Sequence, residues 1–158
     1  MKSKAACRRG AAAVARLGDM PPLEAAAIVY LRLAEPSEAA RRRIREDLFN
    51  LVGAKRGAEA ETALAALVAL LDDRGRRPLL RHAPSCGCVG ADEAAFAHLV
   101  AAAAEGARED AILLASLLLP PDCAFAAYGP AQTFGVALRR LTASIAAEWS
   151  VRGASTVH

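Results

Sequence analysis

Apolar residues recur at the three- and four-residue spacing of an amphipathic helix along most of this chain. From Ala58 to Asp73, Leu64, Leu67, Val68 and Leu71 fall at i, i+3, i+4 and i+7. From Glu93 to about Glu105 the same spacing returns as Phe96, Leu99, Val100 and Ala103. Both stretches predict helices with one buried stripe. Glu38 to Val52 carries Ala40, Ile44, Leu48 and Leu51 on one side, with Ser37 as its N-cap and Gly53 as its stop. An earlier helix begins at Pro21-Pro22, where proline is tolerated in a first turn. It carries Leu23, Ala27, Tyr30 and Leu31 and ends at Pro36-Ser37. A short helix from Ala11 to Leu17, stopped by Gly18, precedes it.

Asp92 is the expected N-cap of the Glu93 helix, and Gly106 ends it. Glu109 to Leu119 is apolar nearly all round, the pattern of a central, most buried helix. Pro120-Pro121-Asp122 restarts the chain with Asp122 as cap, and a turn with Phe125 and Tyr128 leads to Gly129-Pro130. The last predicted helix, Pro130 to Trp149, presents Phe134, Leu138, Leu141, Ile145 and Trp149. The expected fold is therefore all-α, a single-domain bundle of about six or seven helices. Residues 1–10 and 151–158 read as flexible ends of a helical domain over 11–150. Its two halves, 11–78 and 92–150, are joined by a cysteine-containing loop at 79–91. Glu24–Pro36 can be laid over Glu109–Pro121, with Phe49 on Phe134 at the same offset. Ala-rich sequence matches itself cheaply, so no duplication is claimed.

Composition agrees with helices. The hydrophobic fraction is 54% and the aromatic fraction only 4%, so the apolarity is largely Ala and Leu, strong helix formers. A length of 158 residues fits one domain with a substantial core. Net charge is +3, and Arg far outnumbers the lysines (Lys2, Lys4 and Lys55). That bias, with the abundant Ala, is what a GC-rich bacterial genome produces and says little about partners. The longest oily run, Ala111 to Leu119, is about half of what a membrane span needs. No long apolar run follows the basic first residues, as a secretory signal would require. Cysteines few in number and uneven in spacing point to a reducing cytoplasm and not to a secreted disulfide framework.

Candidate chemistry concentrates in Leu80 to Glu93, the longest stretch without a helical pattern. His82, Cys86 and Cys88 are close enough in sequence to converge on one metal ion, and Gly87 and Gly90 give the backbone freedom to wrap it. Such a thiolate-rich set suits zinc or an iron–sulfur cluster, with Cys123 as fourth ligand, or else Cys7, His98 or Asp92. Cys-x-Cys without a second pair is less diagnostic than Cys-x-x-Cys. A redox reading is the alternative. Cys88 precedes a helix N-terminus, with Arg81 and His82 favouring a thiolate and Asp92 and Glu93 opposing it. The plain alternative makes Cys86 and Cys88 small apolar plugs beneath a loop, and His82 a surface residue or a backbone hydrogen-bonder.

Other chemistry is poorly supplied. Glu24, Glu46 and Glu109 have no partner visible in sequence, and no phosphate loop, His-Glu-x-x-His motif or serine elbow occurs, so a non-enzymatic protein is expected. Arg41, Arg42, Arg43 and Arg45 form a basic face, but Glu38–Arg42, Arg42–Glu46 and Arg43–Asp47 are i,i+4 pairs that answer the charge within the helix. Lys55-Arg56, Arg74 to Arg77 and Arg139-Arg140 are not interleaved with aromatics, as single-strand stacking would require. The expected function is a regulatory or protein-interaction module, acting on a protein partner or by self-association. Its loop of His82, Cys86 and Cys88, with Cys123, binds metal or responds to redox state. The alternatives are a small DNA-binding regulator using its Arg-rich helices, and a purely structural helical subunit.

Overall fold

The computed structural model describes residues 11–154, with side chains through residue 150. The expectation of a flexible segment at 1–10, and Cys7 with it, lies outside the described residues, as do residues 155–158 of the tail. The chain runs through β1 (Ala13–Arg16), a single 3-10 turn at Leu17–Asp19, α1 (Pro22–Leu33), α2 (Glu38–Val52) and α3 (Ala54–Arg74). A loop then leads to β2 (Cys88–Gly90), followed by α4 (Ala91–Glu105), α5 (Arg108–Leu118) and α6 (Pro121–Ala154). The protein is an all-α bundle with one small two-stranded antiparallel sheet.

The local signals largely operate as their chemistry dictates. Pro22 opens α1, where the missing N–H is needed by no helical bond. The Ser37 hydroxyl accepts from the Ala40 N–H at 3.1 Å and caps α2. Gly53 ends α2 at φ 89°, and Gly106 ends α4 at φ 80°, both in the region that favours glycine. Ile44 and Leu48 of α2, and Leu64, Leu67, Val68 and Leu71 of α3, are buried as their spacing predicts.

α4 is the buried centre. Phe96, Ala97, Leu99, Val100 and Ala103 are fully excluded from solvent, and α1, α5 and α6 all pack against this helix. α1 packs on α4 and α3 packs on α6, so the segments before and after the cysteine loop share one core. Close approach of α4 and α6 depends on Gly135. A Cβ there would stand 2.5 Å from the Val100 carbonyl oxygen and 2.9 Å from the Ala104 Cβ.

Several expectations are corrected. The segment expected as a helix from Ala11 to Leu17 forms β1, because Ala13–Arg16 finds a pairing partner in β2, and long-range pairing outweighs weak local propensity in so short a stretch. α5 is peripheral and not central. Only Ala111, Ala115 and Leu118 are buried, while Leu113 and Leu117 are 67% and 64% exposed. Ala111, Ala115 and Leu118 face the bundle while Leu113 and Leu117 face out, an orientation that a pattern apolar all round cannot specify. Leu51, Ile145 and Trp149 are also exposed and not core, Trp149 at 72%.

The break expected at Gly129-Pro130 is absent, and α6 is continuous from Pro121 to Ala154, which carries helix into the segment expected as a mobile tail. Its buried residues Ala124, Ala127, Ala131, Phe134, Leu138 and Leu141 keep one phase across Pro130. The carbonyl left without an N–H partner is that of Ala126, a residue on the exposed face of the helix, open to solvent.

Candidate functional site

The cysteine loop is built on two consecutive carboxylates in the first turn of α4. Asp92 is not the N-cap. Gly90 holds that position, and Asp92 and Glu93 are both buried. Asp92 fastens the loop's entry, accepting from both terminal nitrogens of Arg77 at 2.6 and 2.7 Å and from the Leu80 N–H at 3.0 Å. Glu93 fastens its middle and its exit. It accepts from the His82 N–H, from the His82 ring nitrogen Nδ1 and from the Gly90 N–H, each at 2.9 Å. The Gly90 bond is half of a capping box, the half a glycine can make without a side chain.

Glu93 also meets Arg32, which reaches over from α1. Arg32 Nε and Nη2 donate to the two Glu93 oxygens at 2.7 and 2.9 Å, and neither side chain is exposed. The same guanidinium donates to the carbonyls of Cys86 at 2.6 Å and Cys88 at 2.5 Å, with a longer bond to Ala83. The loop is thus wrapped around a buried cation supplied by the chain itself. Burial pushes the Glu93 carboxyl up, but hydrogen bonds from Arg32, Gly90 and His82 outweigh it and bring the pKa down to about 2. Arg32 is raised by its hydrogen bond to Glu93, against the opposing effect of burial.

A reciprocal staple runs the other way. Arg81, in the loop, donates to the carbonyls of Leu31 and Ala34 at the end of α1 and pairs with Asp72 of α3. Arg76 caps the end of α5 through the carbonyls of Ser116 and Leu119. No buried side-chain nitrogen or oxygen among the described residues lacks a partner.

Between these anchors the backbone turns at Pro84-Ser85, closed by the Cys86 N–H to the Ala83 carbonyl at 2.9 Å. Proline at the second position of such a turn is favoured because its φ is preset. Beyond it the carbonyls alternate as in an extended strand. Those of Cys86 and Cys88 point to Arg32, and that of Gly87 accepts from the Leu17 N–H at 2.8 Å. The Cys88 N–H donates to Cys86 Sγ at 3.4 Å. Cys88 is exposed and Cys86 partly so, neither being the buried plug of the plain reading.

Comparison with known proteins finds no matching family model, no similar curated protein and no similar solved structure. The residues therefore stand on their own chemistry.

Of the four expected metal ligands, His82, Cys86 and Cys88 lie on one loop, whereas Cys123 is buried in the first turn of α6 within the hydrophobic core. His82 is engaged through Nδ1 by Glu93. His98 points to solvent, and Asp92 is taken by Arg77. Among the described residues, no group of three or more His, Cys, Asp or Glu side chains is placed to hold a metal ion. Sequence reasoning overlooked Arg32 and the role of Glu93. The available signal was Arg32 standing four residues after Ile28, in phase with the buried side of a mostly apolar helix.

The basic face of α2 is also tied into the fold. Arg41 and Arg45 pair with the buried Glu61 of α3 at 2.8 and 3.0 Å. None of the three expected i,i+4 pairs forms a salt bridge among the described residues. Tyr30, stacked edge-on against Phe134 at 6.0 Å, donates its hydroxyl to Asp47. A groove of about 580 Å³ runs past Tyr30, Arg43, Asp47 and Asn50 to Pro84, so the turn of the cysteine loop forms one of its walls. No helix among the described residues is long and apolar enough to cross a membrane.

Proposed function

We propose that this chain is a non-enzymatic interaction module in which Cys86 and Cys88 form a thiol–disulfide switch. One observation carries the reading. Two accessible thiols lie two residues apart on a turn whose neighbouring carbonyls are fixed to a buried guanidinium, while the rest of the loop's ionisable chemistry is already consumed. Glu93 is spent on Arg32, His82 and Gly90, so it is not free to serve as a general acid or base. The Cys88 N–H donates to the Cys86 sulfur at 3.4 Å, which holds the two cysteines of the turn close together.

The oxidant class is a low-molecular-weight disulfide. Deprotonated Cys88, the more exposed thiol, attacks one sulfur of the reagent and expels a first thiolate. Cys86, losing its proton to solvent, then attacks the Cys88 sulfur of the mixed disulfide and expels the second. The reagent is reduced to two thiols, and the protein dithiol is oxidised to one disulfide.

Zinc or iron–sulfur ligation by the loop draws less support, since Cys123 belongs to the core and His82 Nδ1 is held by Glu93. Nucleic-acid binding likewise draws less, because Arg32, Arg41, Arg45, Arg76, Arg77 and Arg81 all serve intramolecular partners. The test is exposure of the whole protein to oxidised glutathione, followed by mass analysis of the tryptic peptide from His82 to Arg108, which holds both loop thiols. The expected product lacks two hydrogens within that peptide, and Cys123 stays reduced. A peptide that remains a dithiol, or that carries only glutathione adducts, overturns the reading, and one metal ion per chain after anaerobic purification would replace it with ligation.

A further inference from the structure

We infer that closing the Cys86–Cys88 disulfide releases the N-terminal strand β1 from β2, so that the redox state of the loop sets whether residues 11–16 are docked on the bundle. This rests on the thiol-switch reading and names what that switch would control.

The three consecutive carbonyls of Cys86, Gly87 and Cys88 hold the loop in two directions. Those of Cys86 and Cys88 go inward to Arg32, and that of Gly87 goes outward to the Leu17 N–H. β1 pairs with the same few residues, Ala13 opposite Gly90, Ala15 opposite Val89 and Arg16 opposite Cys88. The thiols and the docking site of β1 are therefore one piece of backbone.

Disulfide closure shortens that piece. In extended backbone the side chains of residues i and i+2 leave the same face with their Cβ atoms roughly 6–7 Å apart, whereas disulfide-linked Cβ atoms stand about 3.5–4.5 Å apart. The chain must contract, and the three carbonyls do not resist equally. Arg32 is buried and locked to Glu93, so the Cys86 and Cys88 carbonyls are held from inside. Gly87 is exposed, lacks a Cβ, and its carbonyl bonds outward to the Leu17 N–H and not to the buried guanidinium, so its peptide is the one that turns most readily. Turning it carries the Gly87 carbonyl away from Leu17 and disturbs the Arg16–Cys88 register.

Little else restrains β1. It is four residues long and already bulged between Ala13 and Ala15. Of its residues only Ala15 rests against the core, while Leu17 and Met20 continue the attachment farther along. Release at Arg16 therefore leaves α1 in place.

The experiment uses the full chain, reduced and oxidised by glutathione disulfide, and reads two signals: tryptic cleavage between Arg16 and Leu17, and hydrogen exchange of the Leu17 amide. Both require local opening, and both are expected to accelerate by roughly tenfold or more on oxidation. Reduction should restore protection. Cys86→Ser and Cys88→Ser proteins, unable to close the ring, should show the reduced-state rates with or without the oxidant. An intact loop disulfide with unchanged cleavage and exchange overturns this inference and leaves the thiol switch standing. Failure of the disulfide to form overturns both.

Discussion

Arg32 of α1 and Glu93 of α4, 61 residues apart, form a two-point ion pair at 2.7 and 2.9 Å with both side chains wholly buried. Neither charge sits in an oily void. Between them they engage His82, Gly90, Ala83, Cys86 and Cys88, so the desolvation cost of each is met by several hydrogen bonds. The pair is the frame on which the loop is shaped.

Arg32→Lys is expected to destabilise nearly as much as Arg32→Met, by about 3–5 kcal/mol, the usual cost of leaving a buried partner unpaired. An ammonium cannot span the Glu93 carboxylate and two loop carbonyls in one plane as the guanidinium fork does. Unfolding in denaturant measures both variants. A Lys variant within about 1 kcal/mol of the native protein would show that charge alone, and not the fork, holds the loop.

Acid should weaken the fold through Glu93. Its folded pKa of about 2 lies below the ordinary value of 4.5, so the native state favours the ionised carboxylate. That contribution is complete above the unfolded value and is lost as pH falls from about 4.5 through about 2, amounting to about 3 kcal/mol. Unfolding free energy followed across this range should fall more steeply for the native protein than for Glu93→Gln. Equal slopes would remove Glu93 as the cause.

Glu61 and its two arginines predict an asymmetric response. Arg41→Ala or Arg45→Ala should each cost less than about 1 kcal/mol, because each side chain is about half exposed and the other still pairs with the carboxylate. Removing both should cost more than the sum, since the buried Glu61 is then alone. A double-mutant cycle in thermal unfolding reads this directly, and strict additivity would contradict it.

Gly135→Ala should destabilise by about 1–3 kcal/mol although alanine is the better helix former, because the new methyl group meets the backbone of α4. Thr133→Ala, at an exposed position of the same helix, is the control and should be neutral or slightly stabilising. The two variants are compared by melting temperature.

Much of the helical framework was legible along the chain. The stripes of α3 and α4 were read correctly because each has one apolar side and the 3.6-residue period names it. Ser37, Gly53 and Gly106 announced their ends because caps are local chemistry. The stretch from Leu80 to Glu93 was likewise recognisable as the place that departs from that pattern, and the proximity of Cys86 to Cys88 needs no fold to be seen.

What the sequence by itself determined is thus helix content, most helix ends and the position of the loop, all set by interactions between residues a few positions apart. The tertiary structure alone decided which faces of α5 and α6 are covered, whether Pro130 breaks its helix, and that Ala13–Arg16 pairs with Cys88–Gly90. It also decided that Arg32 and Glu93 meet at the loop's centre. Each of these depends on what another segment offers in desolvated surface or unsatisfied hydrogen bonds, and no local spacing carries that information.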